Sequence, residues 1–165
     1  RGGERLVQAI LGLPYGLTHR DFQSRNLMLT PRGLVLIDFQ DALSGPYIYD
    51  LVALLRDSYV VIPDPILNIL LERYHSGGCD AGLFQHSYDV FREHFDLVTL
   101  HRKAKDAGRF VYIDRVKGNP DFLEHIPASL QYVCSALERL VDFGELRDNL
   151  LPTLMKVMGE KESDA

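Results

Sequence analysis

Two carboxylates and one amide near the start of the sequence have the types and spacing that phosphoryl transfer requires. Asp21 and Asn26 stand five residues apart in the segment HRDFQSRN, and Asp38 follows a run of four aliphatic residues. Transfer to a hydroxyl needs a carboxylate that accepts the hydroxyl proton and oxygen ligands that hold Mg²⁺ on the nucleotide phosphates. Asp21 suits the first task. Asn26 and Asp38 suit the second, because Mg²⁺ takes one or two protein oxygens and completes its shell with phosphate and water.

The alternative interpretation of this motif is a chance match. A His-x-Asp triplet arises by coincidence, and aspartates in loops commonly serve turn formation or solvation. The order of the whole set favours the chemical interpretation, because HxDxxxxN is followed by a strand, a turn and an aliphatic strand that ends in Asp38 and Phe39. A motif gains support from the structural context that its chemistry requires.

A β-hairpin is predicted to carry these residues. Residues 27–29 and 34–37 are the expected strands, separated by the turn chemistry of residues 30–33. The second strand is a continuous aliphatic run, which predicts a strand that is fully buried. Residues 40–49 contain glycine and proline and are predicted to be a loop.

The rest of the chain shows helical periodicity. Asp64 is a residue type that commonly caps a helix N-terminus, and the proline after it suits the first helical position, so a helix is predicted to begin there. The glycine pair 77–78 is expected to end that helix. One long helix is predicted from residue 80 to about 110, and the polar residues 159–165 are expected to form a frayed tail. The fold class is therefore α+β, a small hairpin followed by five or six helices. Further helices are expected at residues 4–12 and 50–60, from Asn119 and Ile126 onward, and around Pro152.

Composition and charge exclude several classes of protein. With 46% hydrophobic and 25% charged residues, the 165-residue chain suits a globular domain rather than a disordered segment or a coiled-coil rod. Eighteen basic and 23 acidic residues give a net charge of −5, which argues against nucleic-acid binding. No apolar stretch is long enough for a membrane span. Cys79 and Cys134 lack metal-ligand spacing and are predicted to be free thiols in a cytoplasmic protein.

Residues 18–55, THRDFQSRNLMLTPRGLVLIDFQDALSGPYIYDLVALL, resemble the catalytic core of the aminoglycoside phosphotransferase family. Its members are kinase-like enzymes that act on small hydroxylated molecules. The resemblance implies that residues 1–158 form a protein-kinase-like C-terminal lobe that is catalytic and substrate-binding. It also implies Asp21 as the catalytic base, Asn26 and Asp38 as magnesium ligands, and ATP with Mg²⁺ as the co-substrate and metal.

The resemblance also assigns supporting roles. Asp50, in the element PYIYDL, is implied to steady the catalytic loop, and His19 to brace it rather than to transfer protons. Gln40 departs from the family, which usually has a small residue there. The family's N-terminal lobe, with a glycine-rich loop and a nucleotide-gripping lysine, is not found in these residues. We therefore expect that an upstream lobe is missing and that this chain alone is inactive.

The similarity is sharpest to the anomeric kinases of N-acetylmuramate and N-acetylglucosamine, in the segments DFQDA, LVALLRDSY and FDLVTLHRKAKDAG. It implies an amino sugar as the small-molecule substrate, phosphorylated on its anomeric hydroxyl. The alternatives are an aminoglycoside or choline-type kinase and a non-catalytic binding module with a kinase fold. Five further side chains are candidates for phosphate or substrate contact: Gln23, Arg25, Arg56, Asp96 and Arg102.

Three of these candidates, Arg25, Arg56 and Arg102, also have a simpler interpretation. Arg25 is equally expected to be a solvated arginine, and Arg56 with Asp57 to form a salt bridge at a helix end. Arg102 and Lys103 are by default a solvated helix face.

Overall fold

The computed structural model describes residues 2–162, with side chains described as far as Gly159, and over this range the chain is mostly helical. The helices are α1 (Gly2–Leu11), α2 (Tyr49–Leu55), α3 (Asp64–Asp80), α4 (Tyr88–Lys117), α5 (Ile126–Arg139) and α6 (Gly144–Glu162). The strands are β1 (Tyr15–Thr18), β2 (Leu27–Thr30), β3 (Gly33–Leu36) and β4 (Leu43–Pro46), and short 3₁₀ turns occupy Ser24–Asn26, Pro120–His125 and Val141–Phe143.

The chain divides into two compact units. The loop unit, Leu13–Phe95, contains all four strands, α2, α3 and the start of α4. The helical unit, described over residues 2–12 and 96–162, contains α1, the rest of α4, α5 and α6. The chain is mostly helical and has small antiparallel sheets, which confirms this part of the predicted α+β fold class.

Strand β4 lies inside the segment 40–49 that is predicted to be a loop, and that prediction is wrong for residues 43–46. Residues 43–46 pair antiparallel with β1, with Thr18 opposite Leu43 and Gly16 opposite Gly45. Gly45 is needed because an added Cβ there would lie 2.8 Å from Oγ1 of Thr18. Glycine and proline in this segment locally favour a loop. Pairing with β1, in which Thr18 lies 25 residues before its partner Leu43, makes the segment a strand instead.

The hairpin β2–β3 forms as predicted, with Leu27 opposite Leu36 and Thr30 opposite Gly33. The prediction that its second strand is fully buried is wrong: Leu34 is 66% exposed, and the aliphatic residues that follow it are exposed as well. The sheet has two strands among the described residues, and a two-stranded ribbon cannot cover both of its own faces.

Helix α3 starts one residue earlier and continues further than predicted. Its cap is Pro63 rather than Asp64, and it runs through the glycine pair to Asp80. Gly78 does not end the helix. It makes room for an aromatic ring, since an added Cβ would lie 2.1 Å from the ring of Phe84. Helix α4 begins at Tyr88, eight residues after the predicted start.

Each unit has buried apolar residues of its own. In the loop unit these come mainly from α2, α3 and the start of α4, whereas the helical unit forms one cluster from α4, α5 and the 3₁₀ turn after α5. The loop-unit set includes Ile48, Val52, Leu67, Leu71, Phe91 and Phe95. The helical-unit cluster consists of Leu97, Leu100, Val133, Ala136, Leu137, Leu140 and Phe143.

Helix α6 includes Pro152 and extends to Glu162, so the first four residues of the predicted frayed tail are helical. Residues 163–165 of that tail lie outside the described residues. Among residues 2–162, no helix combines the length and apolar character needed to cross a bilayer. Both cysteines are free, as predicted.

Candidate active site

The segment between β1 and β2 is a tight loop that brings Asp21 and Asn26 into contact. Asn26 ends the 3₁₀ turn, with its backbone N–H donating to the carbonyl of Gln23 at 3.0 Å. Its buried side chain donates from Nδ2 to the Asp21 carbonyl oxygen at 2.8 Å and to the Asp21 carboxylate oxygen Oδ2 at 3.1 Å. The carboxylate predicted to be the base is therefore held by the amide predicted to be a magnesium ligand.

Asp38 follows β3 with a φ of 68°, a left-handed conformation that non-glycine residues seldom adopt. The side chain is exposed, and its Oδ1 accepts a hydrogen bond from Nε2 of Gln40 at 2.6 Å. The preceding residue, Ile37, donates its N–H to the Asn26 carbonyl at 3.0 Å, so the end of the hairpin is tied to the loop that contains Asp21 and Asn26. Backbone conformations of this kind cluster at functional sites.

The oxygen donors of Asn26 and Asp38 fit a magnesium ion by their chemistry. Asn26 uses its nitrogen for both hydrogen bonds to Asp21, which leaves Oδ1 as a neutral oxygen ligand. Gln40 engages only one carboxylate oxygen of Asp38. Among the side chains that the structure describes, residues 2–159, no group of three or more His, Cys, Asp or Glu is arranged to hold a metal. A magnesium ion held here would therefore depend on one amide, one carboxylate, phosphate and water.

Asp50 and His19 hold the first half of the loop. Asp50, in the first turn of α2, accepts the N–H of His19 at 2.6 Å and the N–H of Arg20 at 2.9 Å. Arg20 has a φ of 72°, so two charge-assisted bonds stabilise a conformation that is locally unfavourable. The His19 ring donates from Nε2 to the carbonyl of Ile37 at 3.0 Å. These contacts support the predicted bracing roles, which remain predictions for catalysis.

Asp57 holds the second half of the loop, and sequence reasoning missed it. It was expected to form a salt bridge at a helix end. Instead its buried carboxylate accepts the N–H of Ser24 at 2.8 Å and the N–H of Tyr59 at 3.0 Å. Helical spacing gave no signal for this role, because Asp57 lies two residues beyond the end of α2.

The candidates Gln23, Arg25 and Arg56 lie in the loop unit with different surroundings. Gln23 is half-buried and precedes the 3₁₀ turn. Arg25 is exposed, and its guanidinium lies 3.7 Å from the ring centroid of Tyr59, a cation–π contact. Arg56 is buried, with Nη1 3.6 Å from Oδ1 of Asp64. A phosphate or substrate contact by any of the three stays a prediction.

Asp96 and Arg102 belong to the helical unit, where both are buried. Both carboxylate oxygens of Asp96 accept from Arg139 at 2.7 Å, the geometry of a bidentate ion pair. The predicted solvated helix face is wrong, because Arg102 is 7% exposed and Lys103 is 1% exposed. Asp106 explains their burial: its carboxylate lies 3.9 Å from the Arg102 guanidinium and 3.1 Å from the Lys103 ammonium, at helical spacings of four and three.

A cluster of aromatic rings surrounds Tyr47, between β4 and α2. Its hydroxyl lies within hydrogen-bonding distance of two imidazole rings, 2.9 Å from Nε2 of His86 and 3.1 Å from Nδ1 of His94. Burial, followed by the neighbouring Tyr74, raises the pKa of the Tyr47 phenol. Burial and adjacent histidines lower the pKa values of His86 and His94, which favours their neutral forms.

Comparisons with known proteins show which family and which relatives this chain is similar to. Residues 4–85 match the family described as "Phosphotransferase enzyme family", and the match includes Asp21, Asn26, Asp38, Asp50 and Asp57. The chain is 35% identical over 146 residues to an N-acetylmuramate/N-acetylglucosamine kinase of Pseudomonas aeruginosa. It is 33% and 31% identical to proteins of the same name from Neisseria meningitidis serogroup B and Pseudomonas putida.

The alignments cover most of this chain but less than half of each relative. They include 88% of the chain and 43% of the Pseudomonas aeruginosa protein, and 96% of the chain and 47% of the Neisseria meningitidis protein. For the Pseudomonas putida protein the shares are 88% and 43%.

Proposed function

Because the chain belongs to the phosphotransferase enzyme family, we propose that it carries the catalytic base and the magnesium ligands of a small-molecule kinase. The observation that carries this proposal is the contact between Asp21 and Asn26, together with the bond that ties the Asn26 carbonyl to the residue before Asp38. Three side chains separated by up to 17 positions are thereby organised on one loop and one hairpin.

In the proposed reaction the acceptor oxygen forms a bond to the γ-phosphorus of ATP while the bond from that phosphorus to the β-phosphate oxygen breaks, and ADP leaves. Asp21 orients the acceptor hydroxyl and accepts its proton. Asn26 restrains the carboxylate through Oδ2, which keeps the base in one orientation. Asn26 and Asp38 would hold Mg²⁺, which supplies positive charge to the nucleotide phosphates when bound.

The finer proposal concerns the acceptor, an amino sugar phosphorylated on its anomeric hydroxyl. It is supported by the names of the relatives from three organisms, whose similarity extends over 88–96% of this chain. Since the chain spans less than half of those relatives, the substrate is proposed for the complete polypeptide. A nucleotide-binding lobe of that polypeptide is proposed as the partner that holds ATP. The alternatives are an aminoglycoside or choline-type kinase and a non-catalytic module.

The test is an ADP-release assay of the complete polypeptide with ATP and Mg²⁺. The acceptors are N-acetylmuramate, N-acetylglucosamine, an aminoglycoside and choline, and the Asp21→Asn variant is the control. We expect ADP release with the amino sugars and its loss in the variant. Turnover with only choline or the aminoglycoside would reassign the substrate. A folded protein without turnover on any acceptor would contradict the kinase function and favour a binding module.

A further inference from the structure

Asp57 is a buried carboxylate outside the motif that identifies the site, yet it contacts the catalytic loop. Its side chain lies just after α2 and is 2% exposed. Burying a carboxylate is costly unless hydrogen bonds replace its water. Here Oδ2 accepts from Ser24 and Oδ1 from Tyr59, and both donors are backbone amides.

The amide that Asp57 holds belongs to the turn that places Asn26. Ser24 is the first residue of the 3₁₀ turn, and Asn26 is the last. Such a short turn has few bonds of its own: the Asn26 N–H donates to the carbonyl of Gln23 at 3.0 Å, and the Leu27 N–H donates to the carbonyl of Ser24. An external acceptor on Ser24 therefore adds a restraint two residues before the side chain that contacts Asp21.

Tyr59 supplies a second contact on the same turn. Its backbone N–H binds the other oxygen of Asp57, and its ring lies against the guanidinium of Arg25 at 3.7 Å from the centroid. Residues 57 and 59 thus contact two consecutive residues of the turn, Ser24 through a charge-assisted bond and Arg25 through an aromatic face.

We propose that Asp57 is a positioning residue of the phosphotransferase site, which holds the Ser24–Asn26 turn so that Asn26 faces Asp21 and presents its oxygen to the metal. This inference rests on the proposed function. Asp50 restrains the start of the loop at His19 and Arg20, and Asp57 restrains its end at Ser24. The loop is braced by two carboxylates, one in the first turn of α2 and one just after its end, and neither takes part in the chemistry.

The variants Asp57→Asn and Asp57→Ala test this in the complete polypeptide. Asparagine keeps the size of the side chain but replaces one acceptor by an N–H₂ group that faces a donor, whereas alanine removes both acceptors. The control is Asp80→Asn, which neutralises an exposed carboxylate at the end of α3 in the same unit. All variants are assayed at a temperature at which circular dichroism shows them folded, and exchange of the Ser24–Asn26 segment is compared with exchange of α5 in the same sample, so that a general loss of stability is recognised.

Two readouts are needed. The first is amide hydrogen exchange of the segment that contains Ser24 and Asn26, which we expect to accelerate in both Asp57 variants and to stay unchanged in the control. The second is turnover as a function of magnesium concentration. Because partners that orient a metal ligand are typically worth about 10- to 100-fold, we expect kcat to fall, or the half-maximal magnesium concentration to rise, by that factor. KM for the acceptor should change little, since Asp57 does not contact it.

The outcomes separate the two proposals. Unchanged hydrogen exchange in Asp57→Asn overturns the role of Asp57 in holding the turn. Accelerated exchange with wild-type turnover and wild-type magnesium dependence overturns its role in the reaction, because the restraint would then be only structural. If the Ser24–Asn26 segment exchanges more slowly in the wild-type protein than in the Asp57 variants, but the wild-type protein phosphorylates no acceptor, the proposed function is overturned instead.

Discussion

The two units of this chain use their carboxylates in different ways. In the loop unit, Asp50 and Asp57 direct all four of their oxygens to backbone amides. In the helical unit, Asp96 and Asp106 face the charged side chains of arginine and lysine. A backbone amide cannot move without moving the chain, so the first arrangement restrains a loop conformation. Side-chain cations on flexible stems restrain the chain path much less.

This difference predicts different consequences of substitution. Carboxylates that accept hydrogen bonds from backbone amides near Asp21 should affect turnover, because phosphoryl transfer depends on positioning. Carboxylates that form ion pairs with arginine or lysine side chains in the helical unit should affect stability, because removing one partner leaves a buried charge. The predictions below test this division, beginning with the group that the loop positions.

The largest effect is expected for Asp21→Asn in the complete polypeptide. General-base assistance is typically worth about 10²- to 10⁴-fold, so kcat should fall by that factor while the unfolding transition stays close to wild type. Steady-state kinetics and thermal unfolding of the same preparation measure both quantities. A variant that keeps near wild-type kcat would remove Asp21 from the role of base, and the loop would then position something else.

The next effect is expected for Asp38→Ala, which removes a proposed magnesium ligand. Since even the partners of metal ligands are worth about 10- to 100-fold, the half-maximal magnesium concentration should rise by more than about 10-fold. Gln40→Ala is the matched control, because it removes only the hydrogen bond to Oδ1 of Asp38. Magnesium dependence that is unchanged in Asp38→Ala would show that the metal assignment is wrong.

A loss of stability is expected for Asp96→Asn in the helical unit. This substitution breaks the bidentate pair with Arg139. Because the arginine side chain is 35% exposed, the loss is limited, and we expect the free energy of unfolding to fall by about 1–3 kcal/mol. Asp148→Asn breaks the exposed pair with Arg147 and should cost less than about 1 kcal/mol. Urea denaturation measures both values.

The Asp96 experiment also decides between a structural and a substrate-binding role. At a temperature at which Asp96→Asn is folded, kcat and the acceptor KM should be near wild type. A raised KM with unchanged stability would make Asp96 a substrate contact, and would contradict the division between the two units.

The smallest effect is a pH dependence from His86 and His94. Their pKa values are lowered from 6.5 in the folded chain, so the unfolded chain binds more protons as the pH falls below 6.5. The stability that these groups contribute is therefore present above pH 6.5 and is lost as the pH falls toward their folded values. Urea denaturation at pH 7.5 and 5.5 should show a smaller loss in the double variant His86→Gln/His94→Gln than in wild type.

His125→Gln, in the helical unit, is the control for that experiment and should keep the wild-type loss of stability. An equal loss in wild type and in the double variant would contradict the prediction. The buried contacts of Tyr47 would then be insensitive to the charge of its two histidine partners.

Local patterns predicted much of the fold and the centre of the site. The hairpin around Gly33 and the helix that begins at Ile126 follow from turn chemistry and apolar spacing, and the structure contains both. The spacing of Asp21, Asn26 and Asp38 was sufficient to propose the chemistry, because one short loop and one hairpin bring such residues together almost regardless of what surrounds them. The family membership that this motif implied is confirmed.

Several of the predictions that failed depended on contacts that a local pattern does not show. Strand β4 exists because β1 pairs with it, and Gly78 lies within a helix because the ring of Phe84 needs its space. Lys103 is buried because Asp106 lies beside it on one helix turn, a pairing whose burial depends on the packing of the whole unit.

The sequence by itself determined the chemical groups of this protein and their order: a base, an amide and a carboxylate at spacings that one loop and one hairpin can bring together. Only the tertiary structure decided what holds them. The contacts from Asp57 to Ser24 and from Asp50 to His19 join residues more than 30 positions apart, and their acceptors face backbone amides that every residue type except proline provides. A bond to a backbone N–H does not depend on the side chain of the donor residue. The sequence therefore does not show which amide a carboxylate binds, and only the folded chain does.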